Sequence, residues 1–88
     1  MQVQPGLYRH FKGGECRVLG IGRHSETLEE LVVYRHLYHH DGDAAHGIWV
    51  RPVVMFTETV NRDDYSGPRF ILVSAEGPFV CKDCGARL

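Results

Sequence analysis

Residues 31 to 38 alternate between two sets of side chains, the pattern expected for a strand whose neighbours point to opposite faces of a sheet. The run Val32-Val33-Tyr34 favours the extended chain, because β-branched and aromatic side chains pack well on a pleated surface. One face would carry Val32, Tyr34, His36 and Tyr38, and the other Leu31, Val33, Arg35 and Leu37. We predict a core strand with a candidate site mounted on it, since charged groups, hydroxyls and two histidines crowd the stretch from residue 24 to 38.

A helix is the competing interpretation of this stretch. Thr27-Leu28-Glu29-Glu30 fits a capping box, and Leu28, Leu31 and Val32 would share one helical stripe. The next position on that stripe is Arg35, which interrupts the apolar face. We therefore prefer the strand, and a helix from Thr27 to Tyr38 would contradict both this element and the site proposed on it.

The rest of the chain shows further short strands separated by turn residues. Strands are predicted at residues 7–11, 15–23, 48–51 and 69–73. Gly20 and Gly22 inside the second of these indicate a bulge or the close approach of another backbone. Pro52 ends a strand and suits the first turn of a helix, and Val53, Phe56 and Val60 recur at helical spacing, so a short helical turn is predicted within residues 52–60. Residues 39–47 are predicted to form an exposed hairpin loop, and residues 61–68 a second loop.

These elements predict a mainly β fold, a small SH3-like antiparallel barrel with one short helical turn. Closing the sheet is how so few residues bury a core and limit their exposed edges. Residues 1–73 would form this single domain, and residues 74–88 a C-terminal appendage that carries a Cys-x-x-Cys motif.

Composition agrees with one small globular domain. The chain has 88 residues, of which 43% are hydrophobic and 24% charged. Its net charge of −1 gives no bulk attraction to nucleic acid or to an anionic membrane. No apolar run is long enough to cross a bilayer, and the first residues lack the parts of a secretion signal. Three cysteines are an odd count for a disulfide framework, so a cytoplasmic setting is expected.

The sequence resembles DUF1653, a family of small uncharacterised bacterial domains. The matching segments are Gly6-Leu7-Tyr8-Arg9-His10-Phe11-Lys12-Gly13, His24-Ser25-Glu26-Thr27, Leu31-Val32-Val33-Tyr34, Leu37-Tyr38, Trp49-Val50-Arg51-Pro52, Met55-Phe56 and Arg69-Phe70. They follow the family's order over nearly the whole chain from Gly6 to Phe70. The resemblance implies no established activity, and the long loop at residues 39–47 and the tail with Cys81 and Cys84 depart from the shared pattern.

Several side chains suited to recognition lie on, or at the ends of, the predicted strands. The candidate ligand-binding residues are Arg9, His10, His24, Ser25, Glu26, Thr27, Tyr34, Trp49 and Arg51. The two arginines could hold a phosphate or carboxylate in a two-pronged contact, while the aromatic rings supply a flat apolar wall. We therefore predict a binding module whose ligand is nucleic acid or a nucleotide, because small barrels present such faces to these partners.

Three alternatives to this ligand remain open at this level. The module could instead bind a peptide or partner protein, and an edge strand would allow β-addition or a homodimer. The arginines could simply pair with Glu26 and Glu29 while the aromatic residues fill the core. Catalysis has the least support, because His24 and Ser25 point to opposite faces of a strand and no nucleophile, phosphate-loop or metalloprotease motif is present, so no catalytic residue is assigned.

The tail raises the question of zinc as a cofactor. Cys81 and Cys84 have the spacing of one zinc knuckle, followed by a glycine that permits the tight turn. A structural zinc site needs four ligands, so the second pair must come from elsewhere. The candidates are His39, His40, His46, Cys16 or the same pair of another subunit. Without them, the two residues would be free thiols on a flexible tail.

Overall fold

The computed structural model describes residues 3–42 and 45–88, and within them the chain forms seven strands, one short helix and one 3-10 turn. The strands are β1 (Gly6–His10), β2 (Glu15–Arg23), β3 (Glu30–His36), β4 (Trp49–Pro52), β5 (Thr59–Arg62), β6 (Tyr65–Pro68) and β7 (Phe70–Ser74). The helix α1 is Val53–Phe56, and the 3-10 turn is His40–Gly42. None of the described helices has the length and apolar character needed to cross a membrane.

Five strands form one antiparallel sheet in the order β4-β3-β2-β1-β7, and β5 and β6 form a separate two-stranded hairpin. The mainly β prediction and the short helical turn are confirmed. The predicted SH3-like barrel is not closed, however, because β4 and β7 lie at opposite edges of the sheet and do not pair within the described residues. Instead of closing, the sheet buries its core face beneath α1, which packs over β3 and β4.

The central strand β3 confirms the strand interpretation of the region after Thr27. It pairs with β2 on one side and β4 on the other, and Val32 and Tyr34 are buried on its core face. Thr27 caps a tight turn rather than a helix, with its Oγ1 accepting the backbone N–H of Glu29 at 3.3 Å. Leu28 in this turn has a left-handed φ of 63°. Pairing at both edges of the strand and burial of one face have therefore outweighed the local helix signal.

The predicted irregularity in β2 is a bulge next to Gly20. The register runs from Val18 opposite Tyr34 to Gly20 opposite Val33, so β2 holds one extra residue there. Before the bulge, Cys16 and Val18 share a face and are both buried, as their alternation predicts. The bulge bends the long strand and increases its twist, which curves the sheet around its core.

The loop predicted at residues 61–68 is wrong, since these residues contribute to the β5–β6 hairpin. Their polar side chains carry little of the apolar alternation that marks a strand. Contacts with distant residues order the hairpin instead. Arg69 forms an ion pair with Glu58 at its base, and the Tyr65 ring stacks on Phe11 at a centroid distance of 5.3 Å.

The core is a cluster of mainly aromatic and β-branched side chains. Its buried members are Val3, Tyr8, Cys16, Val18, Val32, Tyr34 and Phe56, with Val53 and Phe70 packed against them. Phe56 is at the centre, stacked on Phe70 at 4.1 Å and meeting the Tyr8 ring edge-on at 5.4 Å. The helical turn α1 therefore places the Phe56 ring against the core face of the sheet.

The C-terminal tail lies against the domain. The backbone N–H of Lys82 donates to the Leu37 carbonyl at 3.0 Å, and the Arg17 guanidinium lies over the Phe79 ring at 4.4 Å. Cys81 is buried. The connector predicted as an exposed loop is also partly inside, because His46 is only 8% exposed. The tail and the connector therefore meet at one side of the sheet.

Substituting Phe56→Ala should destabilise the fold by about 3–5 kcal/mol, because it removes the ring at the centre of the aromatic core and leaves a cavity. Val54→Ala on the same helix is the matched control, since Val54 is exposed and should change the free energy of unfolding by less than about 0.5 kcal/mol. Urea unfolding of both variants measures the difference. Equal stabilities would contradict this description of the core.

Candidate functional site

A cavity of about 530 Å³ opens where the ends of several strands meet the 3-10 turn and the tail. Its rings are His10, Tyr34, His36, Tyr38, His40 and Phe70. Its cations are Lys12, Arg51 and Lys82, and the Gly13-Gly14 turn, Glu15 and Cys16 complete the lining. A cavity of this size, with rings for walls and a few charged groups, is typical of a small-molecule site.

Strand register brings these side chains together. His10 on β1 lies opposite Phe70 on β7, and Cys16 on β2 lies opposite His36 on β3. Tyr34 and His36 are two positions apart on β3, so both point to the same face of the sheet. The cavity is therefore an extension of the core face beyond the region that α1 covers.

The far wall is a stack of imidazole and indole rings. His36 and His40 stack at a centroid distance of 4.3 Å, and Trp49 contacts them at 5.1 and 5.2 Å. The Tyr38 hydroxyl lies 3.4 Å from His40 Nδ1. These contacts hold His40, which belongs to the 3-10 turn, against side chains that project from the sheet.

The cavity has a positive local field although the chain as a whole carries a net charge of −1. Burial lowers the pKa of His10, and the charges of Arg69, Arg51, Lys12 and Arg62 lower it further. His10 is therefore neutral at pH 7. The Arg51 guanidinium lies over the Phe70 ring at 5.7 Å and has no carboxylate partner within residues 3–42 and 45–88. Its charge is available to an anion.

The Cys16 thiol and the Tyr38 hydroxyl of the cavity stay protonated at neutral pH. Burial raises the pKa of Cys16 to about 12, so this thiol is a poor nucleophile. Burial also raises the pKa of Tyr38, with smaller contributions from Cys16, Tyr34 and Asp41. The cavity thus offers cations, rings and neutral hydrogen-bonding groups, a combination suited to binding.

The nine predicted ligand-binding residues occupy three places. His10, Tyr34 and Arg51 line the cavity, and Trp49 supports its far wall. Arg9 points to the other face of β1 and forms an exposed ion pair with Glu15 at 2.9 Å. The segment His24-Ser25-Glu26-Thr27 is an exposed turn before β3, and the length of that strand, about 20 Å, separates it from the His36 end.

That turn has its own internal bonding. His24 Nδ1 accepts the backbone N–H groups of Glu26 and Thr27 at 3.1 and 3.2 Å. The histidine therefore shapes the connection between β2 and β3. Neither Arg9 nor Arg51 forms an ion pair with Glu26 or Glu29 in the described part of the chain.

Sequence reasoning missed several residues that line the cavity. His36 and Tyr38 were detectable, because their alternation with Tyr34 already placed them on the same face of the strand. His40 and Lys82 had no such signal. They reach the cavity from a connector and from the tail, and only the tertiary fold brings those segments to it.

A second cluster lies beside the cavity. One ligand atom from each of His39, His46, Cys81 and Cys84 lies within 4.8 Å of all the others. Burial raises the pKa of Cys81, but hydrogen bonds from the backbone of Asp83 and Cys84 outweigh it, so the pKa lies below its usual value. Cys16 lines the neighbouring cavity, as does His40. Residues that could hold a metal ion are therefore distinct from those that line the cavity.

Replacing Arg51 with glutamine should raise the pKa of His10, since Arg51 is one of the charges that lower it. The wild-type pKa of His10 is expected below 6.5, so the imidazole binds a proton more readily in the unfolded chain than in the folded one. The folded protein should therefore lose stability as the pH falls below 6.5 and through the native pKa of His10. NMR titration of the imidazole C–H signals measures both proteins. Arg9→Gln is the control and should leave the His10 pKa unchanged. A wild-type pKa at or above 6.5 would refute the positive local field.

Comparison with known proteins identifies the family. The model of the family described as protein of unknown function (DUF1653) matches residues 6–72. The chain is also similar to a crystal structure of a DUF1653 protein from Bordetella bronchiseptica, with 37% identity, coverage of 86% of this chain and 94% of that chain, and a TM-score of 0.73. A search of curated proteins gave no significant match. Family model and solved structure agree with the resemblance drawn from the sequence, and the chain belongs to the DUF1653 family.

Proposed function

We propose that this protein is a binding module whose cavity holds a small anionic ligand with a flat ring, and that nucleotides are its ligand class. The observation that carries the proposal is the placement of Arg51, Lys12 and Lys82 around a cavity of about 530 Å³ whose walls are imidazole and phenol rings. Cations bind the phosphate, and the half-buried rings of Tyr38 and His40 stack against the base.

The charge balance of the cavity supports an anion. Lys12, Arg51 and Lys82 line it against the single carboxylate of Glu15, which is already paired with Arg9. His10 adds a neutral imidazole that can donate or accept a hydrogen bond. A neutral or cationic ligand would leave the Arg51 charge unpartnered in a half-enclosed site, which costs free energy.

The size of the cavity favours a mononucleotide, or one nucleotide of a single strand, over a duplex. A module of this kind needs no catalytic group, and the protonated Cys16 thiol agrees with that assignment. A bacterial, cytoplasmic setting is part of the proposal, and the three free cysteines and the relative from Bordetella support it.

Titration with AMP, GMP, inorganic phosphate and a short single-stranded oligonucleotide tests the proposal, with isothermal calorimetry at low and moderate salt. We expect a nucleotide to bind, binding to weaken as salt rises, and Arg51→Ala to weaken it by roughly 10-fold or more, the loss of one charge-assisted contact. Arg23→Ala is the matched control and should bind as wild type, because Arg23 is exposed, lies at the opposite end of β2 from Cys16 and does not line the cavity.

Thermal unfolding of each variant checks that Arg51→Ala is folded, and Arg51→Lys, which keeps the charge, should restore part of the affinity. Binding of phosphate alone with the nucleotide's affinity would assign the site to a simple anion and reject the ring-binding part. No binding of any probe, or binding insensitive to Arg51→Ala, would reject the proposal.

A second candidate function is self-association through β7, the terminal strand of the sheet. Its consecutive residues Ile71, Leu72 and Val73 are all exposed, although neighbours on a strand point to opposite faces. Both sides of this edge are therefore apolar and open, a surface that a second strand can cover by β-addition.

Sedimentation velocity over a range of protein concentrations tests this association. We expect a monomer–dimer equilibrium in which Val73→Lys lowers the dimer affinity, because it places a charge on the pairing edge. Val54→Lys, the same substitution at an exposed position of α1, should leave the equilibrium unchanged. A monomer at every concentration would exclude the homodimer and leave only a partner of different sequence for this edge.

A further inference from the structure

We propose that His39, His46, Cys81 and Cys84 bind one Zn²⁺ ion, which fastens the C-terminal tail to the connector between β3 and β4. The inference goes beyond ligand binding in the cavity and does not depend on it.

The spacing of the ligand atoms suits a tetrahedral ion. All four lie within 4.8 Å of one another. Zinc bonds of about 2.3 Å to sulfur and about 2.0 Å to nitrogen would separate tetrahedral ligand atoms by roughly 3.3–3.8 Å. His46 Nε2 and Cys84 Sγ are already 3.4 Å apart. Small side-chain movements therefore complete the shell.

A buried nitrogen in the cluster lacks a partner. His39 Nε2 is inaccessible to solvent and has no hydrogen-bond partner among residues 3–42 and 45–88. Leaving a buried polar atom unpaired costs about 1–3 kcal/mol. A neutral imidazole nitrogen can donate its lone pair to a metal ion, and the cluster around His39 is where such an ion would lie.

The histidine on the other side is held in the tautomer that a metal requires. His46 Nδ1 lies 3.3 Å from the His36 carbonyl oxygen, to which it can donate only when it carries the proton. Its Nε2 then presents a lone pair toward Cys84. A ligand histidine oriented by a backbone carbonyl is the usual outer-shell arrangement of protein zinc sites.

The two cysteines adopt the turn of a zinc knuckle. The backbone N–H of Asp83 donates to Cys81 Sγ at 3.4 Å, and that of Gly85 donates to the Cys81 carbonyl at 2.8 Å. Gly85 has a left-handed φ of 76°, which its missing Cβ permits. Asp83 also accepts the backbone N–H of His39 at 2.7 Å, so one side chain links the knuckle to a histidine ligand.

The donor set selects the metal and its role. Two thiolates with two imidazoles suit Zn²⁺, whereas Mg²⁺ and Ca²⁺ prefer oxygen. Four protein ligands leave no position for water or substrate, so the site is structural. His40 and Lys82, each adjacent to a ligand, line the cavity, and the ion would therefore hold two of its walls in place.

Metal analysis of untagged, reduced protein purified without added zinc tests the proposal. We expect about one zinc ion per chain, as a four-ligand site requires. Cobalt exchanged into the site should give the visible absorption of tetrahedral Co²⁺ and a thiolate-to-cobalt charge-transfer band. Cys84→Ser should weaken zinc binding by more than the roughly 10- to 100-fold that loss of an outer-shell partner costs. Cys84 is exposed, so this change need not disturb the core.

Two variants serve as matched controls. His24→Ala removes an exposed histidine outside the cluster, and Cys16→Ala removes the cysteine that lines the neighbouring cavity. Both variants should keep full zinc content. Chelation should lower the Tm of wild type and leave that of Cys84→Ser unchanged. Protein without zinc or cobalt binding, zinc content unaffected by Cys84→Ser, or a Cys81–Cys84 disulfide in place of metal would each overturn the proposal.

Discussion

The burial of one face of β3 is the interaction on which the rest of the structure depends. Val32 is fully buried and Tyr34 nearly so, because β2 and β4 flank the strand and Phe56 packs on its face. Removing large apolar side chains from water supplies about 25 cal/mol per Å². In so small a chain this cluster is the principal source of stability. It also decides register, since a slip by one residue would turn both side chains to solvent.

The same face continues from the core into the cavity. Tyr34 packs against the core, and two residues later His36 already lies in the wall of the cavity. Phe70 belongs to both regions, because its ring stacks on Phe56 in the core and also contacts His10 and Arg51 in the cavity. The part of the cavity that Tyr34, His36 and Phe70 form is therefore built on strands of the sheet, and its geometry follows from the packing that holds the fold. A ligand site of this type needs little rearrangement on binding.

The tail and the β3–β4 connector complete what the sheet leaves open. Cys81 is buried although it lies near the end of the chain, and His46 is buried in a segment of polar composition with a left-handed φ of 54°. Such a backbone conformation costs free energy and persists where surrounding contacts hold it. The bond between Lys82 and Leu37 and the Asp83–His39 contact supply those constraints. The metal proposed at this junction would join the two segments directly.

Local patterns alone determined much of the sheet. Alternation marked β3 and β2, paired glycines marked the bulge beside Gly20, and Pro52 marked the start of α1. These features depend on steric preferences within a few residues, which a sequence displays directly. The family resemblance also depended on short segments in order along the chain, and the family match bears it out.

Long-range contacts decided the rest. The β5–β6 hairpin has little apolar alternation and depends on Phe11 and Glu58, and the open sheet follows from covering the core with α1 rather than pairing β4 with β7. Cysteine spacing indicated half of a metal site, but the two histidines that approach it come from a connector about 40 residues away, a distance over which no local periodicity operates. Long-range structure also decided that Arg9 and Arg51 lie on opposite faces of the sheet rather than in one site. Which face an arginine shares with a distant strand is set by sheet order and register, and only the packed tertiary structure determines both.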